Sequence, residues 1–173
     1  MMSGLLGSNK TVTMNTNIKI VLLFLCIVHC ICNRRTGGVC RYPWRRIGKN
    51  CYLIVKDKVS ADTAFALCLR RSAYLVNLET LEEAMLIRYE LQQMKTGLNF
   101  VVGGRNINHY KSGGDWRWIK NGTMTKMTYF AWGGGQPNGS NASPQDCMLF
   151  AGHHYQLIDD YCWNSSFNGG YIC

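Results

Sequence analysis

Nine cysteines are spread unevenly along the 173 residues. Cys26, Cys30 and Cys32 crowd into an apolar stretch near the start, whereas Cys40, Cys51, Cys68, Cys147, Cys162 and Cys173 are distributed over the rest of the chain. The apolar run 20–28, preceded by Lys19, is much shorter than the about 20 residues that cross a bilayer and has the length of a signal-peptide core. Cys30 and Cys32, small residues two apart, predict cleavage after Cys32. Residues 1–32 are therefore read as a leader, with Met14 as an alternative start, 33–39 as a short connecting segment and 40–173 as one domain. Retention of the run as a signal anchor is the competing reading, and both put the domain outside the cytoplasm. An even set of six cysteines in an exported chain predicts three disulfides, with every pairing open at this stage. Structural zinc is the alternative, but none of the six stands in the close C-x-x-C spacing of a zinc site.

Charge narrows the partners. The chain carries 19 Lys and Arg against 10 Asp and Glu. Lys10 and Lys19 leave with the leader, so 19 − 2 = 17 positive residues face 10 acidic ones, a net of +7. That excess favours acidic partners such as sulfated or sialylated glycans and anionic surfaces. Apart from Arg34-Arg35, Arg45-Arg46 and Arg70-Arg71, the cations are scattered, as on an ordinary solvated surface. No nucleic-acid reading motif is present, and nucleic acid is not expected as a partner.

Local patterns predict two helices followed by a β-rich half. The stretch 40–51 reads as a hairpin and Tyr52–Val55 as a strand. Ser60 can cap a helix bearing Ala61, Ala64, Phe65, Leu67 and Cys68 at helical spacing. Thr80 with Glu83 forms a capping box ahead of 84–87 and Leu91. Beyond Gly97, 100–102 reads as a strand, and Trp116 and Trp118 alternate so that both indoles face one side. Residues 133–146 form a long loop without helix or strand signals, of the kind that usually carries function. Strands 147–150 and 171–173 return to the core, giving an α+β class.

The ordered set Trp44-x-x-x-Gly48-x-x-Cys51-Tyr52, Val102-Gly103, Trp118, Trp132, Gly135-Gln-Pro-Asn138, Asp146-Cys147, Asp159-x-x-Cys162 and Tyr171-Ile-Cys173 runs from one end of the domain to the other. In order and approximate spacing it resembles the C-type lectin-like domain family. The resemblance implies two helices, small antiparallel sheets, a long loop region and the pairings Cys40–Cys51, Cys68–Cys173 and Cys147–Cys162. It also implies a Ca²⁺ site at the long loop, where sugar hydroxyls coordinate the ion directly. Carried over by position, the metal ligands are Gln136, Asn138, Gln145 and Asp159, with Pro137 cis. Ile158 and Leu157 stand where the family usually has asparagine and tryptophan, and Gln145 where it often has glutamate. Calcium asks for roughly 6–8 oxygens with carboxylates setting affinity, so this set, with one certain carboxylate, predicts a weak, degenerate site. Gln-Pro-Asn is a hybrid of the family's two sugar-selective triplets and does not choose between galactose-like and mannose-like ligands.

Ligand contacts are expected from Gln136, Asn138, Asp159 and Tyr155, the last because it lies in the loop before Asp159. His153-His154 reads as surface and Trp132, beside Phe130, as core. Four sequons begin at Asn121, Asn138, Asn141 and Asn164, and Asn121 and Asn164 are the expected glycosylation sites. A glycan on Asn138 would compete with its use as a ligand. The function expected is a secreted, Ca²⁺-assisted carbohydrate binder acting on glycans or glycoproteins in innate recognition or matrix assembly. The alternative is a Ca²⁺-independent module for a protein, an anionic polysaccharide or a mineral surface. No stable membrane insertion is expected after cleavage, and oligomers would have to form through the domain surface, since no heptad is visible. Neither a Gly-x-Ser-x-Gly elbow nor a His-Glu-x-x-His helix is present, so catalysis is not expected.

Overall fold

The computed structural model describes residues 39–129, 131–165 and 169–173. The expected leader, the segment 33–38 and Phe130 lie outside the described residues. Cys40–Cys173 forms one compact unit. No described helix is long and apolar enough to cross a membrane.

The chain enters through a two-stranded hairpin, β1 (Arg45–Ile47) and β2 (Asn50–Tyr52), closed by the Cys40–Cys51 disulfide. Tyr52–Val55 is not one strand. The chain passes from the hairpin at Leu53, and β3 (Ile54–Val55) joins the main sheet beside β9 (Gly170–Ile172). Pairing with the last strand ends the hairpin register, because Leu53 exchanges both backbone hydrogen bonds with Cys173. Helix α1 (Ala61–Leu69) starts at Ser60, whose side chain accepts from the Thr63 amide, and buries Ala61, Ala64 and Cys68. Helix α2 (Leu81–Met94) starts at Thr80, whose hydroxyl accepts from the Glu83 amide. The Glu83 carboxylate reaches back to the Glu79 amide and also accepts from the Tyr52 hydroxyl, tying the helix start to the hairpin.

Strand β4 (Phe100–Asn106) is the axis of the main sheet. Its first half pairs with β9 in parallel and with β7 (Cys147–Ala151) in antiparallel, and its second half pairs with β5 (Trp116–Lys120). β6 (Thr123–Lys126) extends β5, and β8 (Gln156–Asp160) extends β7. The register breaks between Val102 and Arg105, across Gly103-Gly104. A Cβ on Gly103 would meet the Asn77 side-chain oxygen at 2.3 Å and the Leu75 carbonyl at 2.7 Å, so only glycine permits this approach. Trp116 and Trp118 both point into the core, as their alternation predicts.

The disulfides Cys68–Cys173 and Cys147–Cys162 complete the three expected pairs. The first joins α1 to the residue after β9. The second ties the start of β7 to the segment beyond β8. Between β6 and β7 the chain runs through the long loop, and β7 and β8 are the rails that hold its base.

Candidate functional site

The structure brings the loop residues singled out by sequence into one neighbourhood, but through contacts of an unexpected kind. Asp159 lies on β8 with its side chain turned toward the loop, and it is only 4% exposed. Its Oδ1 accepts from the Asn138 amide at 2.9 Å, and its Oδ2 accepts from the Asn138 and Gly139 amides at 3.0 and 2.8 Å. The Gln136 side-chain oxygen in turn accepts from the Asp159 amide at 3.4 Å. Pro137 follows a cis peptide bond. Gly139 is wedged so that a Cβ would stand 2.9 Å from the Gln145 Cβ and 3.0 Å from Asp159 Oδ2. The carboxylate is thus the acceptor that folds the loop down onto the sheet, much as an acidic side chain caps a helix start.

That geometry does not suit calcium. A hard divalent ion needs carboxylate lone pairs directed at it, and both Asp159 oxygens face N–H hydrogens instead. Ile158 is partly buried against the apolar cluster that holds Leu149 and Cys162 among others, and its side chain offers no oxygen. Of the nearest other acids, Asp146 pairs with His109 at 3.2 Å, and Asp160 is buried with Oδ1 on the Tyr161 amide. Among the described residues the one triad of His, Cys, Asp or Glu close enough to share an ion is Asp62 with Cys147 and Cys162, and those cysteines are spent on a disulfide. The expected set Gln136, Asn138, Gln145 and Asp159 is gathered as a scaffold, and its donors do not fit the metal.

The Asp160 carboxyl is held above the ordinary carboxylate range, chiefly by burial; the Tyr161 amide pulls it down and neighbouring Asp159 pushes it up. The native state therefore holds this proton more tightly than the unfolded chain, and Asp160 costs stability as pH rises above the unfolded carboxylate range. Asp160→Asn is expected to raise the thermal midpoint at pH 7, with the gain fading as pH falls below about 4. Melts of both proteins between those pH values check this, and a lowered midpoint at neutral pH would contradict it.

Beside the loop lies a cleft of about 440 Å³, walled on one side by 137–145 and on the other by the turn between β4 and β5. Asn106, Asn141, Gln145 and Asp159 supply hydrogen-bonding groups, and Tyr110 and Lys111 stand on the far wall. Trp116 lines it while only 4% exposed, and its indole N–H has no partner among the described residues. Glycine at 114 lets the backbone lie on that indole, since a Cβ there would sit 2.8 Å from Nε1. The wall residues 106–114 carry no periodic pattern, so sequence reading missed them; the Gly113-Gly114 pair was the available signal.

Tyr155 is not on this surface. It is 4% exposed, packs against Phe100 and shares a hydrogen bond with Thr96, so the expected ligand contact is corrected to a core role. The left-handed backbone at Tyr155 (φ 49°) turns the ring inward. His153 and His154 are exposed in the β7–β8 turn, and Trp132 packs on the core edge-on to Trp116. Asn121 occupies the exposed β5–β6 turn, and Asn164 is half-buried, with the third residue of its sequon outside the described residues.

Residues 57–173 match the sequence model of the family described as Lectin C-type domain. The mouse (Mus musculus) C-type lectin domain family 6 member A is 28% identical over 135 residues, which cover 78% of this chain and 58% of that protein. The chain thus spans less than two thirds of that relative. Among solved structures, the Ca²⁺-independent C-type lectin SPL-2 from Saxidomus purpuratus is 28% identical with a TM-score of 0.62, over 78% of this chain and 91% of that one. A complex of SPL-1 with GlcNAc superposes with a TM-score of 0.65 at 23% identity, over 79% and 95% of the two chains.

Proposed function

Because the chain belongs to the C-type lectin domain family, we propose that it is an extracellular carbohydrate-binding module that works without calcium at its long loop. One observation carries the metal-free part of the reading: the Asp159 carboxylate is already satisfied by two backbone amides. The likeness to a Ca²⁺-independent lectin over most of both chains supports it. Three disulfides require an oxidising compartment, which supports export. The cleft beside the loop, with the side-chain amides of Asn141 and Gln145 and the exposed phenol of Tyr110, offers the mixed donors and acceptors that a polyhydroxylated ligand needs.

Two measurements test this. Binding of the protein to a printed glycan panel is expected to survive EDTA. Millimolar calcium is expected to leave the thermal midpoint unchanged, whereas a ligand at about 100 times its Kd would add about 2.7 kcal/mol. Loss of binding on chelation, or a calcium-dependent rise in midpoint, would restore a metal site. A second reading, protein recognition, is favoured by the exposed Leu81, Met85 and Tyr89 along α2, and a silent glycan panel would bring it forward.

A further inference from the structure

We propose that the β1–β2 hairpin is a docking surface for a linear sulfated polysaccharide, held by Arg41, Arg45 and Arg46 around the Cys40–Cys51 disulfide. The hairpin shares no residue with the loop cleft, so this site goes beyond the sugar-binding reading above. No acidic residue stands anywhere from 40 to 56, a stretch that carries Arg41, Arg45, Arg46, Lys49 and Lys56. The acids that approach the hairpin come from around the start of α2. Glu79, Glu82 and Glu83 line two hollows against it, and Lys49, Arg71 and Lys120 line the same hollows. A hydrogen bond does not discharge a carboxylate, so the three acids count in full, and the three cations beside them bring that side to zero. Arg41, Arg45 and Arg46 remain as a local excess of three charges, all exposed. Arg41 and Arg45 make no ion pair among the described residues.

Strand register and the disulfide fix where this excess sits. Arg46 pairs with Cys51 across the hairpin, while their neighbours Ile47 and Tyr52 are buried in the core. Strand side chains alternate, so Arg46 and Cys51 share the opposite, outward face. The bridge from Cys51 to Cys40, with the two Cα atoms 5.7 Å apart, brings Arg41 and Tyr42 beside that face. A turn closed by the Trp44 amide on the Arg41 carbonyl, at 2.8 Å, keeps them there. Guanidinium groups present planar forks that match sulfate oxygens two at a time, and a ribbon already braced by a disulfide loses little freedom on binding. Tyr42, 97% exposed, adds a flat ring for the C–H face of a sugar between sulfates. A polyanion gains further by shedding its condensed counterions, which a single acidic sugar cannot do. An anionic bilayer fits less well, because residues 45–50 expose no large apolar side chain to insert; Ile47 points inward.

The test uses the full chain, produced by a secretory route, with immobilised heparin as the probe across a range of NaCl concentrations. Binding is expected at 0.15 M salt, about the physiological value, and is expected to weaken steeply as salt rises. The double variant Arg41→Gln/Arg45→Gln, which keeps the disulfide and the turn, is expected to lose about 10-fold in affinity and to flatten the salt dependence by roughly one to two log units per log unit. Lys58→Gln/Lys126→Gln removes the same charge at exposed positions outside the hairpin and is expected to change binding by less than about 2-fold. Equal losses in the two double variants would make the attraction one of net charge and overturn the assignment. So would heparin stripped of its sulfates binding as well as the parent polymer. Vesicles of phosphatidylserine and phosphatidylcholine serve as the lipid arm; capture by them with none by heparin would replace the polysaccharide with a membrane. Heparin binding beside a silent panel of neutral glycans would sink the loop-cleft reading and leave this one standing. The reverse pattern would sink this one alone.

Discussion

Replacing Cys68 and Cys173 together by alanine is expected to leave the domain largely unfolded at 37 °C. The two residues are 105 apart in sequence, and cross-linking a loop of that size removes unfolded-state freedom equivalent to about 4.7 kcal/mol. Stabilities of ordinary domains are only about 5–15 kcal/mol, so this one link is of the same order as the whole. The loss is compounded by position. Both half-cystines are buried, one on α1 and one beside β9, the strand that lies between β3 and β4. The matching change at Cys147 and Cys162, 15 residues apart, is expected to cost about 3 kcal/mol and to lower the midpoint without abolishing the fold. Thermal and urea melts of the two double variants check the order. A Cys68/Cys173 variant melting within a few degrees of the parent would refute it.

Asp159→Ala is the second large effect, and it separates the two roles that this carboxylate could have. As a loop anchor it accepts N–H groups from Asn138 and Gly139 with a charged oxygen, and bonds of that type contribute about 1.5–3 kcal/mol each. Removing them is expected to destabilise the domain by about 2–4 kcal/mol and to raise hydrogen exchange at the 138 and 139 amides by orders of magnitude. Asp159→Asn, which keeps one acceptor oxygen, is expected to lose about half as much. The effect should appear in EDTA as fully as in calcium. A destabilisation seen only with calcium present would make the residue a metal ligand after all.

How far these features could be read from residues alone varies with the kind of contact. The caps at Ser60 and Thr80 were legible because a side chain and an amide three residues on are local partners. Trp116 and Trp118 were legible because the strand period fixes their common face. The break at Leu53 was not, since it depends on pairing with Cys173 at the far end of the chain. Tyr155 went astray for a related reason: a turn residue with left-handed backbone can swing its ring inward, and no periodicity announces it. Asp159 stands out in the sequence as the acid next to the long loop, but what it binds is set by the direction of backbone amides, which side-chain identity does not encode. The cleft wall at 106–114 is built by a turn, where neighbours in space are not spaced by rule.

The sequons at Asn138 and Asn141 lie on the exposed arm of the loop that closes over Asp159, and Asn141 also borders the cleft. An oligosaccharide attached there would stand in the mouth of the cleft, competing with any incoming ligand for the same space. Material refolded from bacteria and material secreted by a glycosylating cell would then differ in what they bind despite sharing one polypeptide. The enzyme that decorates the protein during export would, in effect, set its selectivity.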